Sequence, residues 1–515
     1  MSDPVTAVEA WRFARRGRLN AALIVLALLF LIGLVAVAAG LSLVRLLTSD
    51  YTPAYARIDE HFMYGSIGAE PASGMPYQIW RLLPTLYPEE FKGRQDYSAF
   101  GFLYEADQNG HQRDLPIGIS RRNYSGVDLV WLNCATCHTG TWRMADGAER
   151  HIVLGMPSNN LDFHRLVKVV LRLSTDDRLA PDRLFPLIEA QGYDFGFVEK
   201  LIWRTAVLPR FREGLLKVRA GLDPLMEVQP AWGPGRVDTF NPYKVIQFDL
   251  PPETLTEAER IGAADLPAIF DQRPREGMQL HWDGNNASLQ ERNLSAAIGA
   301  GVTPETVDHA AIERIADWLG DLAPPPSPHT PEPTAVERGR KIYMGTCARC
   351  HGWKGADRYV FEGANLGQVT PNSDLGTDAA RLNSYTEALR QRQFDELFAG
   401  TRYVFRRFTK TDGYANLPLD GLWLRGPYLH NGSVPTLADI LKPPAERPQA
   451  YLRSSDVVDG VNGGFVSALC DPAAQPDTGL CYDTTLRGNG AGGHLYGTDL
   501  PAEQKAALLA YLLTF

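Results

Sequence analysis

The chain has 515 residues, of which 44% are hydrophobic and 22% are charged, and its formal net charge is −9. This length predicts two or three globular domains. The acidic balance, with no lysine- and arginine-rich run beyond the N-terminal flank, argues against a nucleic-acid partner.

The first element along the chain is an uncharged stretch that is long enough to cross a membrane. No charged residue occurs between Arg18 and Arg45, and a helix of that length reaches ~39 Å, more than the ~30 Å hydrocarbon core. The arginines before it predict that residues 1–18 stay in the cytoplasm, that 19–44 form a single-pass anchor in the cytoplasmic membrane, and that the remainder faces the periplasm. The alternative is a signal peptide cleaved at the small residues 36–38.

Two segments then carry the same Cys-x-x-Cys-His motif. At this spacing two thiols form thioether bonds to the haem vinyl groups, and the adjacent imidazole ligates the iron from the proximal side. The sequence therefore predicts two covalently bound haem c groups. Zinc is the alternative, since Cys-x-x-Cys is also half of many zinc sites. The residues of the two motifs are Cys134, Cys137 and His138, and Cys347, Cys350 and His351.

A proline-rich segment separates the two motifs. Six prolines occur among residues 322–334, which predicts an extended, semi-rigid linker. Between the first motif and the helix that precedes the linker lies a long insertion, and insertions of that size usually carry function. The predicted domains are 45–322 with the first haem and the insertion, the linker 323–334, and 335–515 with the second haem.

Amphipathic helices flank this linker and end the chain. Apolar residues at spacings of three and four predict helices over 304–319 and 335–346, and another that begins at Pro501. A helix before a haem motif and a helix at the chain end resemble cytochrome c, in which the two helices cross beside the haem. That resemblance makes Gly339 a candidate for the small residue at the crossing. The predicted fold is mainly α, with two cytochrome c-like domains after the membrane helix.

The two remaining cysteines, Cys470 and Cys481, lie close together in a stretch rich in glycine, proline and aspartate. We predict that they form a disulfide bond, which would persist only in an oxidising compartment. Two free thiols are the alternative, because spacing alone does not establish bridging geometry.

Several segments resemble a known family, in the same order along the chain. They are residues 64–70, 134–140, 233–240, 281–286, 426–437 and 493–497. These segments are similar to the di-haem cytochrome c peroxidase superfamily, and especially to its branch of bacterial rubber oxygenases and related membrane-anchored or periplasmic di-haem proteins. The sequences Trp-Asp-Gly and Pro-Tyr-Leu-His-Asn-Gly are fairly specific to that family.

The resemblance assigns a role to Trp282, which matches the tryptophan that lies between the two haems in the peroxidases and relays electrons. A core tryptophan is the alternative. Peroxidases also have a glutamine and a glutamate ten and twenty residues beyond that tryptophan, where they assist O–O cleavage. Those positions are Arg292 and Val302 here, which puts hydrogen-peroxide reduction in doubt.

The sixth ligand of the second haem also departs from the peroxidases. Their methionine corresponds to Pro444, and no methionine follows Met344. His430 and His494 are the other histidines downstream of the second motif. Neighbouring glycines, which permit close approach of the backbone to a macrocycle, and the resemblance to rubber oxygenases favour His494. His430 remains the alternative.

The distal side of the first haem is open to several interpretations. In the rubber-oxygenase branch an aromatic residue of the inserted region covers bound dioxygen, and the comparable position is near Phe240, with Trp232 and Tyr243 as neighbours. An aromatic residue here can equally be part of the core. The histidines that could cap the iron instead are His151, His164 and His281.

Three functions are compatible with these features. In the first, the N-terminal haem activates dioxygen or a peroxide, for an apolar small-molecule substrate, and the C-terminal haem exchanges electrons with a partner such as a small cytochrome or a cupredoxin. The second is a peroxidase with rearranged acid and base groups. The third is a membrane-tethered electron carrier that is not an enzyme. An enzyme needs an iron with an exchangeable coordination site, whereas a carrier needs none.

Overall fold

The computed structural model describes residues 4–106, 110–474, 476 and 478–515. These residues fall into two units. One contains the described residues up to Thr52 together with Arg122–Asp128, and the other contains Pro53–Arg121 and Leu129–Phe515. Helices account for about 42% of the chain and strands for about 13%, so the prediction of a mainly α fold holds only in part.

The helices and strands have the following bounds. The α-helices are α1 (Pro4–Leu47), α2 (Ile58–Tyr64), α3 (Glu70–Ser73), α4 (Tyr77–Leu86), α5 (Cys134–Cys137), α6 (Phe163–Arg172), α7 (Pro181–Ala190), α8 (Phe197–Ile202), α9 (Leu208–Met226), α10 (Leu289–Gly299), α11 (His309–Gly320), α12 (Pro333–Thr346), α13 (Ala348–His351), α14 (Asn372–Leu375), α15 (Ala380–Ser384), α16 (Glu387–Glu396), α17 (Leu437–Ile440) and α18 (Ala502–Leu512). The strands are β1 (Asp50–Tyr51), β2 (Met75–Pro76), β3 (Ile119–Tyr124), β4 (Val127–Leu132), β5 (Thr139–Trp142), β6 (His151–Leu154), β7 (Arg236–Asp238), β8 (Ala263–Asp265), β9 (Trp353–Lys354), β10 (Tyr359–Val360), β11 (Val369–Pro371), β12 (Gly413–Ala415), β13 (Ala450–Arg453) and β14 (Leu480–Asp483). Most strands are short and form antiparallel pairs. One such pair joins β5 to β6, and β5 directly follows the first haem motif.

In the smaller unit, α1 is long and apolar enough to cross a membrane. The apolar stretch covers Trp11–Val35 and has a mean hydropathy of 2.4, and none of its described side chains is buried. Beyond the helix, Asp50 and Tyr51 pair antiparallel with Tyr124 and Asn123. The predicted span of residues 19–44 lies within this same helix, while its orientation in a membrane stays a prediction.

In the larger unit, a hydrophobic core surrounds the first Cys-x-x-Cys-His motif. Ala135 and Phe240 are buried in it, and Cys134 packs against its edge. The same core contains Tyr385 and Phe408, which come from the chain beyond the second haem motif. Side chains from both sides of the proline-rich segment therefore build the surroundings of the first motif.

A second core forms where α12 and α18 cross. Its buried residues include Tyr343 of α12 and Tyr511 of α18, and their rings are 5.2 Å apart. A Cβ atom on Gly339 would lie 1.9 Å from the carbonyl oxygen of Ala507. The prediction that this glycine lies at the crossing of the two helices is thus confirmed.

The third predicted helix also forms, but it is shorter than expected. Residues 304–319 were expected to be helical, whereas α11 begins at His309. The reason is a cap, because the side chain of Asp308 accepts a hydrogen bond of 2.9 Å from the backbone N–H of Ala311.

The proline-rich segment is packed along the C-terminal part of the chain. Trp423 donates its indole N–H to the carbonyl of Pro325 at 3.2 Å, and Ser327 donates to the carbonyl of Leu513 at 2.5 Å. The predicted disulfide bond between Cys470 and Cys481 is present.

We expect that Gly339→Ala destabilises the protein. The added methyl group would force α12 and α18 apart, and overpacking of this kind costs about 1–3 kcal/mol of unfolding free energy. Urea denaturation followed by circular dichroism measures this change. Gly345→Ala is the matched control, because nothing lies within 4 Å of a Cβ atom at that position of α12, and it should raise the unfolding free energy by up to about 1 kcal/mol. Equal effects of the two substitutions would contradict the tight crossing.

Candidate haem sites

The first motif is held in place by Asn133, which caps the short helix α5. Its side-chain oxygen accepts a hydrogen bond of 3.0 Å from the N–H of Ala135, and its side-chain nitrogen donates to the carbonyl of Gly65 at 3.0 Å. His138 directly follows α5, and its Nδ1 lies 3.0 Å from the carbonyl oxygen of Pro267. A carbonyl acceptor fixes the proton on Nδ1 and leaves Nε2 free to ligate a metal, as in metal-binding histidines generally.

The second motif repeats this arrangement with different partners. Nδ1 of His351 lies 2.8 Å from the carbonyl oxygen of Leu417, and Tyr359 donates a hydrogen bond to the carbonyl of His351. Nε2 of His351 is thereby also left free for a ligand. Both motifs thus present an oriented imidazole next to two cysteines, which fits covalent haem with a proximal histidine.

Burial favours the neutral imidazole that a metal ligand requires. It lowers the pKa of His138 to about 3, and the positive charge of Arg292 contributes to that shift. The pKa of His351 is also lowered, mainly by burial. Both side chains are therefore unprotonated at neutral pH and available as ligands.

Three of the motif cysteines, Cys134, Cys137 and Cys347, have a raised thiol pKa. Burial raises the pKa of Cys134 to about 11 and the pKa of Cys137 to about 12. Burial likewise raises the pKa of Cys347 to about 12. Zinc binds the deprotonated thiolate, and in the described part of the chain no three histidine, cysteine or acidic side chains are grouped to hold a metal ion.

His494 lies opposite His351. The two ring centres are 6.3 Å apart, and the ring planes are inclined by 44°. Two imidazoles that bind opposite sides of one metal at about 2 Å each have ring centres about 6 Å apart, once both ring radii are added. The backbone of His494 has a φ of +50°, which brings its N–H to the carbonyl of Leu375 at 2.9 Å.

His430 is engaged elsewhere. Its Nε2 lies 3.0 Å from the hydroxyl of Tyr414, and the two rings stack at 4.1 Å. Its carbonyl accepts a hydrogen bond from the N–H of Asp265. Of the two histidines considered as the sixth ligand, the structure brings His494, and not His430, next to His351.

Phe240 occupies a packed position beside the first motif. It is buried in the core that also contains Ala135. Its ring is 5.0 Å from that of Tyr385, and the guanidinium of Arg381 lies 4.4 Å from the ring centre. Tyr243 belongs to the same core. These are the contacts of a core residue, and the distal role of Phe240 stays a prediction.

The other residues considered for the distal side are dispersed. Trp232 packs edge-on against His164 at 4.9 Å, and His151 stacks on Trp142 at 4.3 Å. Burial lowers the pKa of His281 to about 4, and the positive charge of Arg292, which also acts on His138, contributes to that shift. Nδ1 of His281 lies 2.6 Å from the side-chain oxygen of Asn285.

Hydrogen bonds connect Trp282 to the segments that support the histidines of both motifs. Its indole N–H donates to the carbonyl of Asp265 at 2.7 Å, two residues before Pro267, the partner of the first histidine. Its carbonyl accepts a hydrogen bond of 2.9 Å from the N–H of Ala415, two residues before Leu417, the partner of the second histidine. A continuous path of covalent and hydrogen bonds therefore joins His138 to His351 through Trp282.

Sequence reasoning did not identify Pro267 and Leu417, because a carbonyl acceptor can come from any residue type. It did single out Arg292, as the replacement of a peroxidase glutamine. The structure places this arginine, half-buried, near Cys134, and desolvation lowers its pKa to about 10. Val302, at the second such position, is a fully buried core residue.

Two parts of the chain match protein-family models. Residues 413–452 match a family described as RoxA-like, cytochrome c-like, and this segment contains Leu417. Residues 61–138 match a Y4iN-like domain and end at the first haem motif. The first match supports a RoxA-like cytochrome and indicates a haem-based redox function.

Two proteins of Sinorhizobium fredii are similar to parts of the chain. The uncharacterized protein y4iM is 30% identical over 237 residues, which are 43% of this chain and 52% of y4iM. The uncharacterized protein y4iJ is 36% identical over 110 residues, which are 20% of this chain and 17% of y4iJ. The chain thus spans about half the length of the first relative and less than a fifth of the second.

Proposed function

We propose that the chain is a membrane-anchored di-haem c-type cytochrome with oxidoreductase activity, in which the first haem activates dioxygen or a peroxide and the second exchanges electrons. The observation that carries this proposal is an asymmetry between the two motifs. His351 has His494 opposite it at 6.3 Å. Among the described residues, no aromatic or imidazole ring contacts the ring of His138.

This asymmetry supports different roles for the two sites. A second haem held between two histidines is saturated and suited to electron exchange, whereas an iron bound on one side keeps a position for a ligand. Haem supplies the redox and oxygen chemistry when it is bound. The chain contributes a neutral, oriented His138 and a buried aromatic wall that includes Phe240 and Tyr385, which would exclude water from the first site.

Trp282 is the proposed relay between the sites. This role is supported by its two hydrogen bonds, which belong to the bonded path that joins His138 to His351. In this role the indole N–H of Trp282 connects to the first haem motif through Asp265, and its peptide carbonyl connects to the second motif through Ala415. Loss of the indole would interrupt one half of the path and leave the other intact.

The proposed location is the cytoplasmic membrane, with the haem units in the periplasm. The apolar helix supports an anchor, the arginines before it support the orientation, and the bond between Cys470 and Cys481 supports an oxidising compartment. We propose a small redox protein as the partner and an apolar small molecule as the substrate.

Two other functions remain in competition. A peroxidase would need new acid and base groups, because Val302 is a core residue and Arg292 is a cation. An electron carrier would need a sixth ligand on the first iron. The number of open coordination sites separates the carrier from both enzymes.

We expect that the intact mass of the purified protein exceeds the mass of the polypeptide by two haem groups. Replacing both Cys134 and Cys137 with alanine should remove one group and leave the second haem spectrum in place, because each motif attaches its own haem. Replacing Cys470 and Cys481 with alanine is the control, which should retain both groups. The proposal would be refuted if wild-type protein had the mass of the unmodified polypeptide when produced in cells that attach haem to c-type cytochromes.

A further inference from the structure

A cavity of about 60 Å³ lies beside Trp282. Pro267 and Leu417, whose carbonyls accept hydrogen bonds from the two proximal histidines, both line it. A group inside this cavity would thus lie next to the hydrogen-bonded supports of both haem sites. The role proposed for Trp282 leaves the cavity itself unexplained.

The walls of the cavity carry more positive than negative charge. On one side Arg275 and Arg425 share a single carboxylate, at 2.5 and 3.0 Å from Oδ1 of Asp420. Both arginines line the cavity. The carboxylate of Asp271 also interacts electrostatically with both arginines, from beyond 4.0 Å, so this pair is not left with a full unbalanced charge.

A second arginine pair shares one carboxylate. Arg453 lies 3.0 Å and Arg236 lies 3.8 Å from Oδ1 of Asp265, and both Arg453 and Asp265 line the cavity. Within the described part of the chain, no further carboxylate lies within 4.0 Å of any of these four arginines. The charged residues that line the cavity itself are thus three arginines and one aspartate, namely Arg275, Arg425, Arg453 and Asp265.

An unused hydrogen-bond donor accompanies the excess charge. Nε of Arg425, which lines the cavity, is buried and lacks a partner in the described residues. Leaving a buried charged donor without an acceptor is costly, because its hydration is lost and not replaced. An anionic oxygen group in the cavity would supply both the missing charge and an acceptor, whereas a metal cation would be repelled.

We infer that this cavity is a binding site for a carboxylate group, held mainly by Arg275 and Arg425. The planar guanidinium matches a carboxylate, and the volume admits a group about the size of two water molecules, at roughly 30 Å³ each. This inference rests on the proposed haem function, since one source of the carboxylate is a haem propionate. The other source is a small free carboxylate such as formate.

The test uses full-length, haem-loaded wild-type protein with the variants Arg275→Gln and Arg425→Gln. Arg273→Gln is the matched control, because it removes the same charge from an exposed pair with Asp321. Resonance Raman spectra report the propionate bending bands, and potentiometry with and without formate reports the midpoint potentials of both haems.

A propionate source predicts shifted propionate bands in both cavity variants but not in the control, with potentials insensitive to formate. A free carboxylate predicts wild-type potentials that depend on formate, and at least a tenfold weaker formate affinity in the cavity variants. Unchanged bands together with no formate dependence in any protein would overturn the inference. Arg425→Lys, which keeps the charge but not the planar fork, serves the same comparison if the glutamine variants do not fold.

The haem count separates this inference from the proposed function. If the wild-type protein carries no covalent haem, the proposed function fails first. If it carries two haems and the cavity variants behave like Arg273→Gln, only the carboxylate site is wrong.

Discussion

Replacing His494 with alanine is expected to convert the second haem from a low-spin to a high-spin centre. The imidazole of His494 lies opposite His351 with ring centres 6.3 Å apart, so its removal would open a coordination position on that iron. Electron paramagnetic resonance of the oxidised variant should show the loss of a low-spin signal. Carbon monoxide binding to the reduced variant should rise from one to two molecules per chain.

His430→Ala is the matched control for this substitution. His430 is also buried, but it bonds to Tyr414 rather than facing the second motif. Its removal should leave the low-spin signal and the carbon monoxide stoichiometry of the wild type unchanged. The opposite pattern, a low-spin signal that survives in His494→Ala and disappears in His430→Ala, would exchange the roles of the two histidines.

The second large effect is expected for Trp282→Phe, which should slow electron transfer between the haems severalfold. Phenylalanine retains the peptide carbonyl that accepts from Ala415 but loses the indole donor to Asp265. Both haem spectra should stay as in the wild type, because neither proximal histidine contacts the indole directly. Flash photolysis of carbon monoxide from half-reduced protein measures the transfer rate.

Trp423→Phe provides the comparison. Trp423 is fully buried and also donates its indole N–H to a backbone carbonyl, that of Pro325, yet it is not on the path between the histidines. Its substitution should lower the free energy of unfolding without slowing the transfer. An unchanged rate in Trp282→Phe would remove Trp282 from the relay.

The sequence was sufficient for the features that depend on residue type and local spacing. The two haem motifs and the helices α12 and α18 follow from such signals. The glycine at the crossing of these helices came from the resemblance to cytochrome c, and the bond between Cys470 and Cys481 was predicted from their closeness in the sequence, which does not by itself establish bridging. Capping explains the main boundary error, since Asp308 starts α11 later than the apolar spacing indicates.

Long-range packing could not be predicted in the same way. Tyr385 and Phe408 join the core around the first motif, although they follow the second motif in the chain. The carbonyls of Pro267 and Leu417 have no residue-type signature, and short paired strands such as β5 and β6 carry little periodic signal. The sequence also grouped Trp232 with Phe240, whereas Trp232 packs against His164.

The proposed function depends above all on one open coordination position. Electron paramagnetic resonance of the oxidised wild-type protein, followed by carbon monoxide titration of the reduced protein, tests this most directly. We predict one high-spin and one low-spin haem signal, and one carbon monoxide bound per chain. Two low-spin signals without carbon monoxide binding would contradict the enzyme and leave a membrane-tethered electron carrier.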